Sequence, residues 1–287
     1  QAERLWKWVT LHDYFAGSFM WTGIDYLGES TWPFKGFPSG AMDITGHPKS
    51  SYYLYQSLWT DRPVMHLFPH WNWPGRVGQV IPVLAYTNCN IVELFLNDRS
   101  LGEKRIEFPA QGTSGGWNTY AQPVVNPTTS DLHLNWDVPY EPGVLRAVGK
   151  RRDGTVACND EVRTVGPAAA IRISADRDTI TSSPGDVALI TFEVVDSAGT
   201  TVPTAGDMVR FTVSGGSIAA VDNADLRDHD PYQADRRHAF NGRGLVILRG
   251  EKLGVLRVTA SADGLRSASV SVRVVRGMEL PAVPATN

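Results

Sequence analysis

Two cysteines in 287 residues are too few for a disulfide framework and give no paired C-x-x-C metal motif. Cys89 and Cys158 fall in the same expected domain, so a single bridge and two buried free thiols are both open readings. An excess of charge of one sign is also missing. The formal net is -3, which announces neither a basic face for nucleic acid nor an acidic solvating tail. No apolar run is long enough to span a membrane, and the first residues do not read as a signal peptide. The chain starts at Gln with no Met, as expected of a piece of something longer. No G-x-G-x-x-G or Walker pattern offers a phosphate cradle, and no G-x-S-x-G elbow suggests a serine hydrolase. No cofactor is expected.

Tryptophan is plentiful, with nine residues. It can stack on the apolar face of a sugar ring while its N–H finds a polar partner, although β-sandwich cores also bury it. The aromatic material is dense in residues 1–60. There "RLWKWVTLHDY" predicts the end of a helix, "GSFMWTGI" a strand over 17–24, and "PFKGFPSGAMDITGHPKS" a Gly/Pro loop. "SSYYLYQSLW" predicts a helix capped by Ser, with Tyr53, Leu54, Ser57 and Leu58 along one side. Helix, strand, loop and helix make one remnant βα unit of a barrel rather than a domain.

From about Arg62 the helical signal stops. Short β-rich runs such as "VIPVLAYT", "NIVELFLN" and "GVLRAVGKR" alternate with turn pairs such as Asn97-Asp98 and Asp153-Gly154. Some seven strands per hundred residues is the count of an immunoglobulin-like sandwich. A second such series follows "GPAAA", in which Ile190, Phe192 and Val194 form the buried face of "ALITFEVVD". The fold class is therefore mainly β: a βα remnant at 1–60, one immunoglobulin-like β-sandwich at 61–165, a second at 166–276, and a flexible tail at 277–287.

"GSFMWTGIDYLGES", "DITGHPKSSYYLYQSLW", "RPVMHLFPHWNWPG", "VIPVLAYTNCNIVELFLNDRSLG" and "WDVPYEPGVLRAVG" together resemble the C-terminal half of bacterial β-galactosidase-like members of glycoside hydrolase family 2. "VDNAD" and "RHAFNGRGLVILR" are similar to the immunoglobulin-like module that closes such proteins. The resemblance implies that residues 17–24 are the eighth strand of a (β/α)8 barrel and 50–60 its closing helix. It also implies that both catalytic glutamates lie on earlier strands, since no segment here matches either motif. The isolated chain is then expected to be inactive. The alternative is a non-catalytic module that binds glycan or a protein partner.

A retaining glycosidase needs two carboxyl groups about 5–5.5 Å apart. Asp25 and Glu29, four residues apart on an extended chain, would be separated by about 13 Å, which argues against a catalytic pair. The resemblance implies instead that Trp21 lines the sugar pocket, at the strand end where barrel sites lie. The other reading of Trp21 is a layer residue of the barrel core. Asp25 and Glu29 either hydrogen-bond sugar hydroxyls, hold neighbouring catalytic groups, or cap the following loop.

Trp71 and Trp73 of "HWNWPG" read as a structural turn, with an exposed glycan platform as the alternative. His66 and His70 have metal-like spacing, but Pro69, Pro74 and Gly75 forbid the helix it needs. The acidic loop 222–230 lacks the EF-hand spacing, and pairing with Arg227, Arg236 or Arg237 is the simpler expectation over calcium. The partners implied are a β-galactoside-like carbohydrate and the upstream catalytic domains. The N-terminal zone is expected either to pack onto the first sandwich in a non-barrel arrangement or to mediate self-association between chains, with no nucleic-acid or membrane partner. Tandem sandwiches on a sugar hydrolase imply a periplasmic or extracellular location.

Overall fold

A computed structural model describes residues 2–106 and 132–277. The expected tail lies almost wholly outside the described residues. Two compact units are present, residues 1–26 with 37–164, and residues 27–36 with 165–287.

In the first unit, α1 (Ala2–Leu11) and α2 (Ser50–Trp59) accompany seven strands of a sandwich. These are β3 (Met65–Phe68), β4 (Val80–Thr87), β5 (Ile91–Leu96), β6 (Arg99–Arg105), β7 (Leu134–Pro139), β8 (Val144–Lys150) and β9 (Val156–Arg163). They pair as sheets β3-β4-β7 and β6-β5-β8-β9. Alternation decides which side chains go in: Val83 and Ala85 of β4, Val92, Leu94 and Leu96 of β5, and Leu145 and Ala147 of β8 all face one core. Each large aliphatic side chain so buried stabilises the fold by about 1.5–3 kcal/mol.

The helices lie on this sandwich rather than around a barrel. Tyr53 of α2 stacks on His66 at 4.0 Å, and Trp6 meets Trp59 edge-on at 5.3 Å. Glu3 ties α1 down by accepting hydrogen bonds from the Tyr86 hydroxyl at 2.5 Å and from His133 Nδ1 at 2.7 Å. The Ser cap expected for α2 is not used: Lys49 is the N-cap residue, makes no side-chain cap, and Ser50 is already helical.

The strand expected over 17–24 does not form. Only an isolated bridge from Ile24 to Met42 remains there, followed by the short hairpin of β1 (Tyr26–Leu27) and β2 (Gly36–Phe37). A strand is held by hydrogen-bonded neighbours, and among the described residues no other strand flanks 17–23.

The second unit joins β10 (Ala170–Ala175), β12 (Val187–Val195), β16 (Arg243–Gly250) and β14 (Gly216–Asp222) in one sheet. Its other sheet runs β11 (Thr179–Thr181), β18 (Ala268–Val275), β17 (Gly254–Ser261), β13 (Met208–Ser214) and β15 (Arg236–His238). Ile190, Phe192 and Val194 are fully buried in its core, as the alternation requires.

Candidate functional site

Trp21 stands in the irregular segment before β1 and remains 70% exposed. Its Nε1–H donates to the Tyr26 hydroxyl at 3.0 Å, and the two rings meet edge-on at 6.0 Å. The polar end of the indole is thereby held while most of the side chain stays exposed.

Asp25 does the opposite. Only 6% of it is exposed. Its Oδ1 accepts hydrogen bonds from the Gly40 backbone N–H and from Lys49 Nζ, both at 2.7 Å, while Lys49 also reaches the Pro38 carbonyl at 3.3 Å. Backbone bonds run alongside, from Asp25 N to Met42 O and from Met42 N to Gly23 O, each 3.0 Å. The approach is so close that a Cβ at Gly40 would collide with the backbone of Ile24 and Asp25. Asp25 thus ties the segment that presents Trp21 to Gly40 and Lys49. Glu29 is exposed and adopts φ 48° at the start of the loop that leaves β1, away from the extended geometry of a strand residue.

The other candidates fall within the sandwiches. Trp71 is 0% exposed, donates Nε1–H to the Glu141 carbonyl at 2.9 Å and packs edge-on to Tyr140. This corrects its placement as a glycan contact: an indole sealed in the core has no face to offer. Trp73 is half-buried, stacked on His70 at 4.5 Å and donating to the His70 carbonyl at 2.8 Å. His66 lies stacked against Tyr53 and Phe68, with burial lowering its pKa to about 4. His70 Nδ1 accepts from the Asn72 backbone N–H at 3.2 Å. The two histidines belong to separate aromatic stacks rather than to one ligand set.

In the acidic loop, Arg237 is 0% exposed and organises the chain around itself. Its Nη1 meets Asp228 Oδ2 at 2.9 Å, and its Nη2 reaches the carbonyls of Val221, Asp230 and Pro231 at 2.9–3.1 Å. Arg227 pairs with Asp225 at 3.0 Å, whereas Arg236 points outward on β15. Asp222 and Asp228 accept backbone N–H groups of the same loop. Oxygens engaged in this way suit a salt-bridged turn better than a calcium cage, which needs six to eight free oxygen ligands.

That loop also grips residues 27–36, a contact the sequence reading did not foresee. Lys35 Nζ donates to the Asp228 carbonyl at 2.6 Å, Lys35 N to the Leu226 carbonyl at 2.8 Å, and His229 Nε2–H to the Pro33 carbonyl at 2.7 Å. Trp32, 81% exposed, stacks on His229 at 4.6 Å. Gly40 and Lys49 were missed too, since partners 15 and 24 residues from Asp25 leave no periodic mark.

Residues 171–271 match the family model described as glycoside hydrolase family 2 C-terminal domain 5, and residues 78–158 match a domain of unknown function, DUF4982. Over 276 residues the chain is 38% identical to beta-galactosidase BoGH2A of Bacteroides ovatus, covering 94% of this chain and 30% of that protein. A putative beta-glucuronidase of Formosa agariphila is 33% identical, covering 86% and 23%. A beta-glycosidase structure from Bacteroides vulgatus superposes with TM-score 0.83 at 32% identity, covering 96% of this chain and 33% of the other. The chain therefore spans less than a third of the length of these two curated relatives.

Proposed function

Since the chain belongs with the C-terminal portion of glycoside hydrolase family 2 proteins, we propose that it serves a retaining β-glycosidase of β-galactosidase type. In the longer protein it supplies one wall of the pocket for a terminal β-linked sugar, together with accessory sandwiches. The observation that carries this reading is Trp21, largely exposed yet oriented by Tyr26. The C–H face of a sugar ring stacks favourably on such an indole. Asp25, Gly40 and Lys49 keep that wall in place.

The chemistry of retention needs an acid/base carboxyl and a nucleophilic carboxylate facing one glycosidic bond. Asp25 is engaged by Lys49 and Gly40, and Glu29 sits at the start of the loop that leaves β1. Neither is assigned those tasks here, and the chain alone is proposed to be inactive. Two arguments support galactoside over glucuronide. The more similar of the two curated relatives is named a beta-galactosidase, and the cation beside the Trp21 segment, Lys49, is already committed to Asp25 rather than available to a sugar carboxylate. The exposed Tyr14, Phe15, Phe19 and Trp21 of the first unit suit a surface that the upstream barrel would cover, and a periplasmic or extracellular setting goes with this reading.

The test is a panel of chromogenic β-glycosides offered to the 287-residue chain and to a longer protein carrying the upstream domains. Turnover of the β-galactoside only by the longer protein is the expected outcome. Hydrolysis by the chain itself, or a preference for the β-glucuronide, would overturn the corresponding half of the proposal.

A further inference from the structure

We propose that Cys89 and Cys158 form a peroxide-responsive thiol pair, which a hydroperoxide converts to an intramolecular disulfide joining the turn before β5 to strand β9. Both are free thiols, Cys89 buried and Cys158 partly exposed, and their sulfurs lie 3.0 Å apart. Sequence separation is large, so the meeting is a product of the sheet.

Strand β8 lies between β5 and β9, and its Gly149 stands opposite Val92 on one side and Cys158 on the other. A Cβ at Gly149 would come within 2.7 Å of Cys89 Sγ and 3.0 Å of Cys158 Sγ. The missing side chain therefore opens the space in which the two sulfurs converge. Cys89 is held from behind, its backbone N–H donating to Thr87 Oγ1 at 3.0 Å. Thr87 Oγ1 in turn donates to the Val64 carbonyl at 2.6 Å. With the sulfurs already in contact at 3.0 Å, closure brings them to the disulfide bond length of about 2.05 Å.

The pair is also electronically asymmetric. The contact with Cys158 lowers the Cys89 pKa against the opposing effect of burial, and the Thr87 hydroxyl and the Arg151 charge help. Cys158 is pushed up by the same contact and by burial, with Asp160 adding to it. Thiolate character thus gathers on Cys89, and the thiolate is the nucleophile in thiol oxidation.

The steps balance with the peroxide as the sole oxidant. The Cys89 thiolate attacks one peroxide oxygen and the O–O bond breaks, giving a sulfenic acid and, after proton uptake, one water. Cys158 then attacks the Cys89 sulfur, the S–O bond breaks, and hydroxide leaves with the Cys158 proton as a second water. Two thiols and one hydrogen peroxide become one disulfide and two waters.

The experiment treats the full chain with hydrogen peroxide, then counts thiols in denaturant and maps peptides without reduction. The expected result is a fall from two thiols to none, a monomeric chain lighter by about 2 Da carrying a Cys89–Cys158 linked peptide, and full reversal by a thiol reductant. A Cys158→Ser chain should form no linked peptide, and Gly149→Ala, where it folds, should slow closure. Both thiols persisting in the wild-type chain, separate sulfinic or sulfonic acids at the two positions, or a disulfide only between chains would each overturn the proposal.

Discussion

Replacing Asp228 with Ala leaves the buried Arg237 guanidinium without its counter-charge, and the loop around it supplies the magnitude. Removing one partner of a buried ion pair typically costs about 3–5 kcal/mol, because the remaining charge stays desolvated. Here Arg237 keeps three carbonyl acceptors and Asp228 retains slight solvent access. The expectation therefore sits at the low end, about 3 kcal/mol. In a unit of this size that is a fall of about 10 °C in melting temperature, measurable by calorimetry as a shift confined to one of the chain's transitions. Arg237→Met removes the charge itself and should cost less, and the double variant should recover part of the loss. Burial pushes the Asp228 pKa up, but the Asp230 backbone N–H and Arg237 more than offset it, so it sits below the usual value. Its contribution is complete above the unfolded-state value of about 4 and is lost as pH falls through the folded one. An Asp228→Ala loss under about 1 kcal/mol, the range of an exposed pair, would refute the claim that Arg237 organises this loop.

Gly40→Ala should destabilise the first unit by about 1–3 kcal/mol, seen in urea unfolding, because the added methyl meets backbone that cannot turn aside. An unchanged midpoint would contradict that close approach. Trp21→Ala in the longer protein should lower kcat/KM on a β-galactoside about fivefold, from an aromatic contact worth about 1 kcal/mol. The melting temperature should scarcely move, since Trp21 is exposed. His66 should stay neutral until about pH 4 when followed by NMR. Its folded pKa lies below the unfolded value of about 6.5, so stability is complete above that value and erodes as pH falls from it toward 4. Titration near 6.5 would show that the Tyr53–His66 stack is open to water.

The sequence by itself determined the two sandwiches. Period-two alternation in segments such as "ALITFEVVD" already separates the buried Ile190, Phe192 and Val194 from their wet neighbours, because a pleated strand turns successive side chains to opposite faces. Family membership was legible for a similar reason, in ordered motifs that survive as strings. Tertiary structure decided what depends on neighbours. Residues 17–24 read as a strand, yet a strand exists only where hydrogen-bonding partners flank it. Trp71 and Trp21 are the same residue type in similarly aromatic stretches, and only packing closed the first in a core and left the second open. Arg236 and Arg237 are adjacent and chemically identical, but the register of β15 against β13 turned one outward and the other into the loop. Asp25 found Gly40 and Lys49, and Cys89 found Cys158 beneath Gly149, through chain crossings that no local pattern encodes, since side chains far apart in sequence meet only when the sheets and loops between them have folded.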